Sequence, residues 1–183
     1  MTDGTTGNPA GLILASSSPQ RQSLLKEAGF EFAVEPADID EKAQGGHFSP
    51  VELAERIAFA KAQAVSTRFG NYVVLAADAR AMLQLLAGTT QVVITAVCLV
   101  RQSTGLTRVE RVLSAVRMAP LTALEIDNYV ATGQWKGKAG AYGIQDPDPF
   151  IERVRGCRTN VIGLPMKTTV RLLESAGIYP VKK

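Results

Sequence analysis

Leu12-Ile13-Leu14-Ala15-Ser16-Ser17-Ser18-Pro19-Gln20-Arg21 is the stretch that decides the fold class. The apolar run Leu12 to Ala15 lies between Gly11 and three serines and predicts a short buried strand. Ser18 followed by Pro19 is the signature of a helix N-cap with proline in the first helical position. Leu24, Leu25 and Ala28 supply the apolar face of that helix, and Gly29 ends it. A strand feeding a helix through a serine-rich turn is an α/β unit. The turn combines free backbone N–H groups with the positive end of the helix dipole, which suits an anion. Arg21 places a cation in the first turn, an unfavourable position unless an anion is present. Simple capping by Ser18 beside a solvated Arg21 accounts for the same residues equally well.

Outward from this unit, Phe30 to Val34 alternates and predicts a second strand, and Pro36 to Gly46 reads as a loop carrying Asp38, Asp40 and Glu41. Ser49-Pro50-Val51-Glu52 is a capping box that opens a helix running to about Thr67. Tyr72 to Ala77 is another apolar strand and ends in Asp78; Ala79 to Ala87 has helical composition and stops at Gly88. Gln91 to Val100 and Thr107 to Met118 read as two long strands paired around Ser103-Thr104-Gly105. Thr122 and Glu125 form a second capping box, for a helix ending near Gly133. Residues 133–149, rich in Gly and Pro, read as a functional loop, and a helix from about Pro165 to Ala176 closes the pattern. Strands alternating with helices and then interrupted by a hairpin predict an α/β fold with a mixed, twisted sheet and flanking helices. Residues 1–10 are small and polar and predict a disordered tail before a single domain over 11–183.

The 183 residues are 46% hydrophobic and 20% charged, ordinary values for a globular protein. Twenty Lys and Arg against 17 Asp and Glu leave a net charge of +3, with no basic run. A dedicated nucleic-acid binder usually carries a basic cluster, so that class rests only on an isoelectric point near 9.0. Two cysteines, Cys98 and Cys157, form no CxxC pair, which removes zinc-knuckle and thioredoxin readings and fits a reducing cytoplasm. Cys98 sits in an apolar run and reads as core. The single His47 rules out multi-histidine metal sites. No apolar stretch approaches membrane-spanning length, and the first residues lack the pattern of a signal peptide.

Three further places carry chemistry. Lys61 falls on the apolar stripe of its helix with Ala54, Ile57, Ala58 and Val65. A lysine there must snorkel to water, the commoner outcome, or find a carboxylate or a ligand. Asp78 follows an apolar strand directly, and ligands of open α/β sheets gather beyond the carboxyl ends of strands. A carboxylate there can hold Mg²⁺ or orient a water; capping a helix that starts at Ala79 is the competing role. Finally, the glycines of Lys136-Gly137-Lys138-Ala139-Gly140-Ala141-Tyr142-Gly143-Ile144-Gln145 allow backbone to approach a ligand closely, and the Gln145 amide can read a base edge or a ribose. No GxxxxGK[ST] or GxGxxG pattern occurs.

Taken in order, these segments resemble the Maf family of nucleoside-triphosphate pyrophosphatases. The resemblance rests on Ala15 to Arg21, Pro36 to Glu41, Ala58 to Ala62, Ala76 to Ala79, Gly137 to Asp146 and Asn160 to Pro165. It implies a two-lobed α/β fold around a central cleft, Mg²⁺-dependent hydrolysis of a nucleoside triphosphate to monophosphate and pyrophosphate, and a homodimer in the cytoplasm. By the same resemblance Asp78 is the proton acceptor for the attacking water, and Glu41 lies with it near the metal. Ser16, Arg21 and Lys61 bind phosphate, and Gln145 selects the base.

The chain departs from the family pattern in several places. Gln20 replaces an arginine, Ala79 replaces a Thr or Ser, and Asp146-Pro147-Asp148-Pro149 replaces a glycine-rich continuation. An apolar strand and a lysine-bearing loop that normally follow the aspartate are missing, as if a block had been deleted after Asp78. These departures define the alternative: a catalytically impaired nucleotide-binding or regulatory relative.

Overall fold

In the computed structural model, residues 11–40, 48–81, 88–132 and 150–181 are described. Leu12–Leu14 forms the first strand, β1, and Pro19–Glu27 the first helix, α1. Ser18 caps α1 by accepting from the Arg21 N–H, and Gly29 follows the helix at φ 82°, a left-handed conformation that glycine adopts without Cβ strain. Strand β2 is only Ala33–Val34, shorter than the alternation predicts. Helix α2, Pro50–Ser66, opens with the expected capping box: Ser49 Oγ accepts the Glu52 N–H at 3.3 Å and Glu52 Oε2 accepts the Ser49 N–H at 2.8 Å.

Strand β3 spans Val73–Ala81, β4 Thr90–Arg101 and β5 Leu106–Met118. β4 and β5 make the long hairpin, which turns at Gly105 with φ 67°. Helix α3 (Ala123–Ala131) follows its Thr122/Glu125 capping box. Strand β6 (Ile151–Arg155), the short helix α4 (Arg158–Ile162) and helix α5 (Met166–Ser175) complete the described elements. The six strands form one sheet in the order β2-β1-β3-β4-β5-β6. β1 pairs in parallel with β2 and β3, and every other pairing is antiparallel, so the sheet is mixed as expected.

Alternate residues of the central strands feed two cores. Leu12, Leu14, Val73, Leu75, Val97 and Leu99 pack with Leu25 of α1 and Leu172 and Leu173 of α5. Ile13, Val74, Ala76, Ala96 and Cys98 pack with Ala54, Ala58, Ala62 and Val65 of α2. Helices on both faces explain why these strands read as nearly unbroken apolar runs.

One expected element is corrected. Residues 79–81 are strand, not the start of a helix: Asp78, Ala79, Arg80 and Ala81 stand opposite Ala96, Thr95, Ile94 and Val93 of β4. The ladder to β4 overrides the helical composition of this stretch, because tertiary pairing outweighs a weak local propensity. Residues 82–87, the rest of that expected helix, lie outside the described residues, as do the expected tail at 1–10 and the loop at 133–149.

Candidate active site

The site begins where β1 ends. Ser16 is buried directly after the strand, and its hydroxyl accepts the Ser18 N–H at 3.3 Å and Arg21 Nη1 at 2.9 Å. Arg21 is half-buried and donates from Nε to the Gly163 carbonyl at 3.0 Å. The solvated-arginine reading is thereby overturned: two fixed acceptors hold this guanidinium in place. Ser18 both caps α1 and donates to Gln20 Oε1 at 3.1 Å. Together these residues wall a cleft of about 370 Å³, closed on its other sides by Pro36, Ala37 and Lys61.

Lys61 reaches this cleft from α2 and does not simply snorkel. Its ammonium lies 3.2 Å from Asp78 Oδ1, and the two side chains are only 14% and 9% exposed. Asp78 faces α2 because it follows Val74 and Ala76 at two-residue spacing on the face of β3 that packs against that helix. Its place inside β3, paired with β4, removes the helix-capping role. The strand therefore delivers a carboxylate to the lysine, and the lysine borders the space beside Ser16 and Arg21. Four of the six residues singled out from sequence, Ser16, Arg21, Lys61 and Asp78, come together. Glu41 and Gln145 lie outside the described residues.

Chemically, the cleft offers two cations, hydroxyl and backbone donors at a helix start, and a buried carboxylate one ion pair away. Such a set can hold polyanionic oxygen and accept a proton beside it. Among the described residues no three His, Cys, Asp or Glu side chains converge as a ready metal cage. A single carboxylate is nevertheless compatible with Mg²⁺, which is usually bound through one or two carboxylates plus substrate phosphates and waters. Cys98 takes no part: burial pushes its thiol up to about 12, so it stays protonated in the core.

Sequence reading missed the Gly163 carbonyl. A backbone acceptor leaves no side-chain signature, and the only available signal was the Asn160–Pro165 motif itself, which carried no role. Gly163 follows α4 at φ 123°, a conformation that a side chain would strain.

Comparison with known proteins matches residues 11–176 to the family described as Maf-like protein. A dTTP/UTP pyrophosphatase of Symbiobacterium thermophilum is 42% identical over 189 aligned positions, covering 93% of this chain and 95% of the relative. Proteins of the same name from Dehalococcoides mccartyi and Rhizobium etli are 36% and 38% identical, covering 98% and 91% of this chain and 88% and 92% of the relatives. Alignments of 189 and 199 positions are longer than the 183-residue chain, so these relatives carry residues that this chain lacks. With a match that begins at Gly11, before β1, and runs to the end of α5, the chain belongs to the family of Maf-like proteins.

Proposed function

We propose that the protein is a nucleoside-triphosphate pyrophosphatase that converts dTTP and UTP to the monophosphate and pyrophosphate. The observation that carries this reading is the Lys61–Asp78 pair, set at the edge of the cleft walled by Ser16 and Arg21. The names of the relatives at 36–42% identity support the substrate class.

In this reading Ser16, Arg21 and the N–H groups at the start of α1 hold the phosphate chain, with Lys61 adding charge from α2. Asp78 takes the proton of a water as its oxygen attacks the α-phosphorus. The bond from that phosphorus to the α–β bridging oxygen breaks, and its electron pair leaves with pyrophosphate. Lys61 holds the carboxylate through Oδ1. Fixed cations around the phosphates stabilise the charge that builds up on the leaving group without reorganising. Asp78, with Glu41 by family resemblance, would hold a divalent cation, Mg²⁺ in that resemblance. When bound, it would supply Lewis-acid neutralisation of phosphate charge. Gln145 is proposed to read the base through its amide.

The block missing after Asp78, inferred from the family pattern, is compatible with this chemistry, because β3 continues through Asp78 and keeps the carboxylate in place. The same reading extends to a single domain over 11–183, a homodimer and a cytoplasmic location; both cysteines are free thiols, as a reducing compartment permits. No described helix is long and apolar enough to cross a membrane.

The direct test is pyrophosphate release from all common nucleoside triphosphates with Mg²⁺, run in ¹⁸O-water. We expect turnover to favour dTTP and UTP, with the label in the monophosphate. Turnover of neither, or label in pyrophosphate, would refute the assignment.

A further inference from the structure

We propose that Asn160, with Ser114 and Thr95, is a positioning residue that fixes the Arg21 guanidinium in the cleft by locking the short helix α4 onto the sheet. The proposal rests on the pyrophosphatase reading only for its kinetic consequence, not for the geometry.

Asn160 is fully buried, an unusual place for an amide. Its Nδ2 donates to the Val93 carbonyl of β4 at 3.2 Å and to Ser114 Oγ of β5 at 3.0 Å. Ser114 in turn donates to the Cys157 carbonyl and accepts the Cys157 N–H, each at 3.0 Å. One hydroxyl thus uses its single donor and both of its acceptor positions. The approach is close enough to need glycine next door: a Cβ on Gly156 would lie 3.0 Å from Ser114 Oγ and 3.1 Å from the Leu113 carbonyl, at φ 104°. The turn from β6 into α4 is therefore clamped onto β4 and β5 by buried polar contacts rather than by apolar packing alone.

The clamp leads to the cleft in two bonds. The Asn160 carbonyl accepts Thr95 Oγ1 at 3.3 Å and the Gly163 N–H at 3.0 Å. The Gly163 carbonyl accepts Arg21 Nε, and Arg21 Nη1 donates to Ser16. A guanidinium is planar, so fixing Nε sets the plane in which its remaining N–H groups point. Five residues rich in β-branched side chains make a poor helix by themselves, so the position of the Gly163 carbonyl depends on what holds α4. The Asn160 Oδ1 has no partner among the described residues, so the hold on α4 rests on the two bonds donated by Nδ2 and on the fully used Ser114 hydroxyl.

The test uses the whole chain in three single variants and one double variant. Asn160→Asp keeps the shape of the side chain but leaves at most one of the two donated bonds, through a carboxyl that burial keeps protonated; Thr95→Val keeps its volume and removes the bond to the Asn160 carbonyl. The first readout is the Arg21 Nε–H resonance and its exchange protection in ¹⁵N NMR of the ligand-free protein, which is independent of any activity. We expect protection to fall in both variants, more in Asn160→Asp. The second readout is KM for dTTP, expected to rise between about tenfold and a hundredfold in Asn160→Asp with a smaller change in kcat. In an Arg21→Ala background the same substitution should leave KM unchanged while still lowering thermal stability. Unchanged Arg21 protection in folded Thr95→Val and Asn160→Asp proteins would overturn the proposal. So would an equal KM penalty with and without Arg21. Absence of turnover in the wild type would refute the pyrophosphatase reading alone, since the NMR result decides the positioning role.

Discussion

Lys61 and Asp78 show why the energetics of single residues matter at this site. Each charge is nearly removed from water, and the other lies 3.2 Å away. Removing one partner of a buried pair weakens the support of the other charge and is destabilising, whereas removing both costs less. Lys61→Met is therefore expected to destabilise the protein by about 3 kcal/mol, and Lys61→Met with Asp78→Asn to recover most of that loss, measured by urea unfolding. Full additivity of the two changes would contradict a coupled pair. Cys98 supplies a second expectation at this scale. Its thiol, pushed up to about 12 by burial, should ignore a thiol reagent at pH 8 in the native protein and react only on unfolding.

At the scale of elements, capping chemistry governs where helices start. Ser49 and Thr122 each close a reciprocal box with a glutamate three residues on, and both boxes were readable from spacing alone. Ser49→Ala should cost about 1 kcal/mol. The Glu52 and Glu125 carboxylates are held below the ordinary glutamate range, chiefly by the backbone N–H groups of Ser49 and Thr122 and then by their hydroxyls. A lowered native pKa means that the carboxylates add stability above the ordinary range and lose it as pH falls through their native values. The stability gap between wild type and Glu52→Ala should accordingly be widest near neutrality and close on acidification. A gap that widens at low pH would reverse the sign. The same scale shows what sequence could not disclose. The hairpin of β4 and β5 was legible because β-branched runs flank a Gly turn. Ala79–Ala81 was misread because alanine-rich composition says helix while a ladder to β4 says strand. β6 and α4 went unread: one is a short strand dense in arginine, the other a five-residue helix whose support comes from Asn160, far away in sequence from Val93 and Ser114.

For the whole molecule, the central arrangement is a mixed sheet that brings three distant segments to one cleft. β1 and its turn contribute Ser16 and Arg21 and α2 contributes Lys61, while β3 sets Asp78 against Lys61 at the cleft's edge. Residue types and their order were enough to nominate these four, since motifs keep their chemistry in the linear chain. Their convergence required the fold, because parallel pairing of β1 with β3 sets the strand ends side by side. The claim most exposed to refutation is that Asp78 serves that cleft as proton acceptor. Single-turnover hydrolysis of dTTP by wild type and by Asp78→Asn, each shown folded by its thermal transition, measures it most directly. Asp78→Asn is expected to bind dTTP but to hydrolyse it slower by about 10²–10⁴-fold, the usual contribution of a general base. Hydrolysis by folded Asp78→Asn within a few-fold of wild type would contradict it.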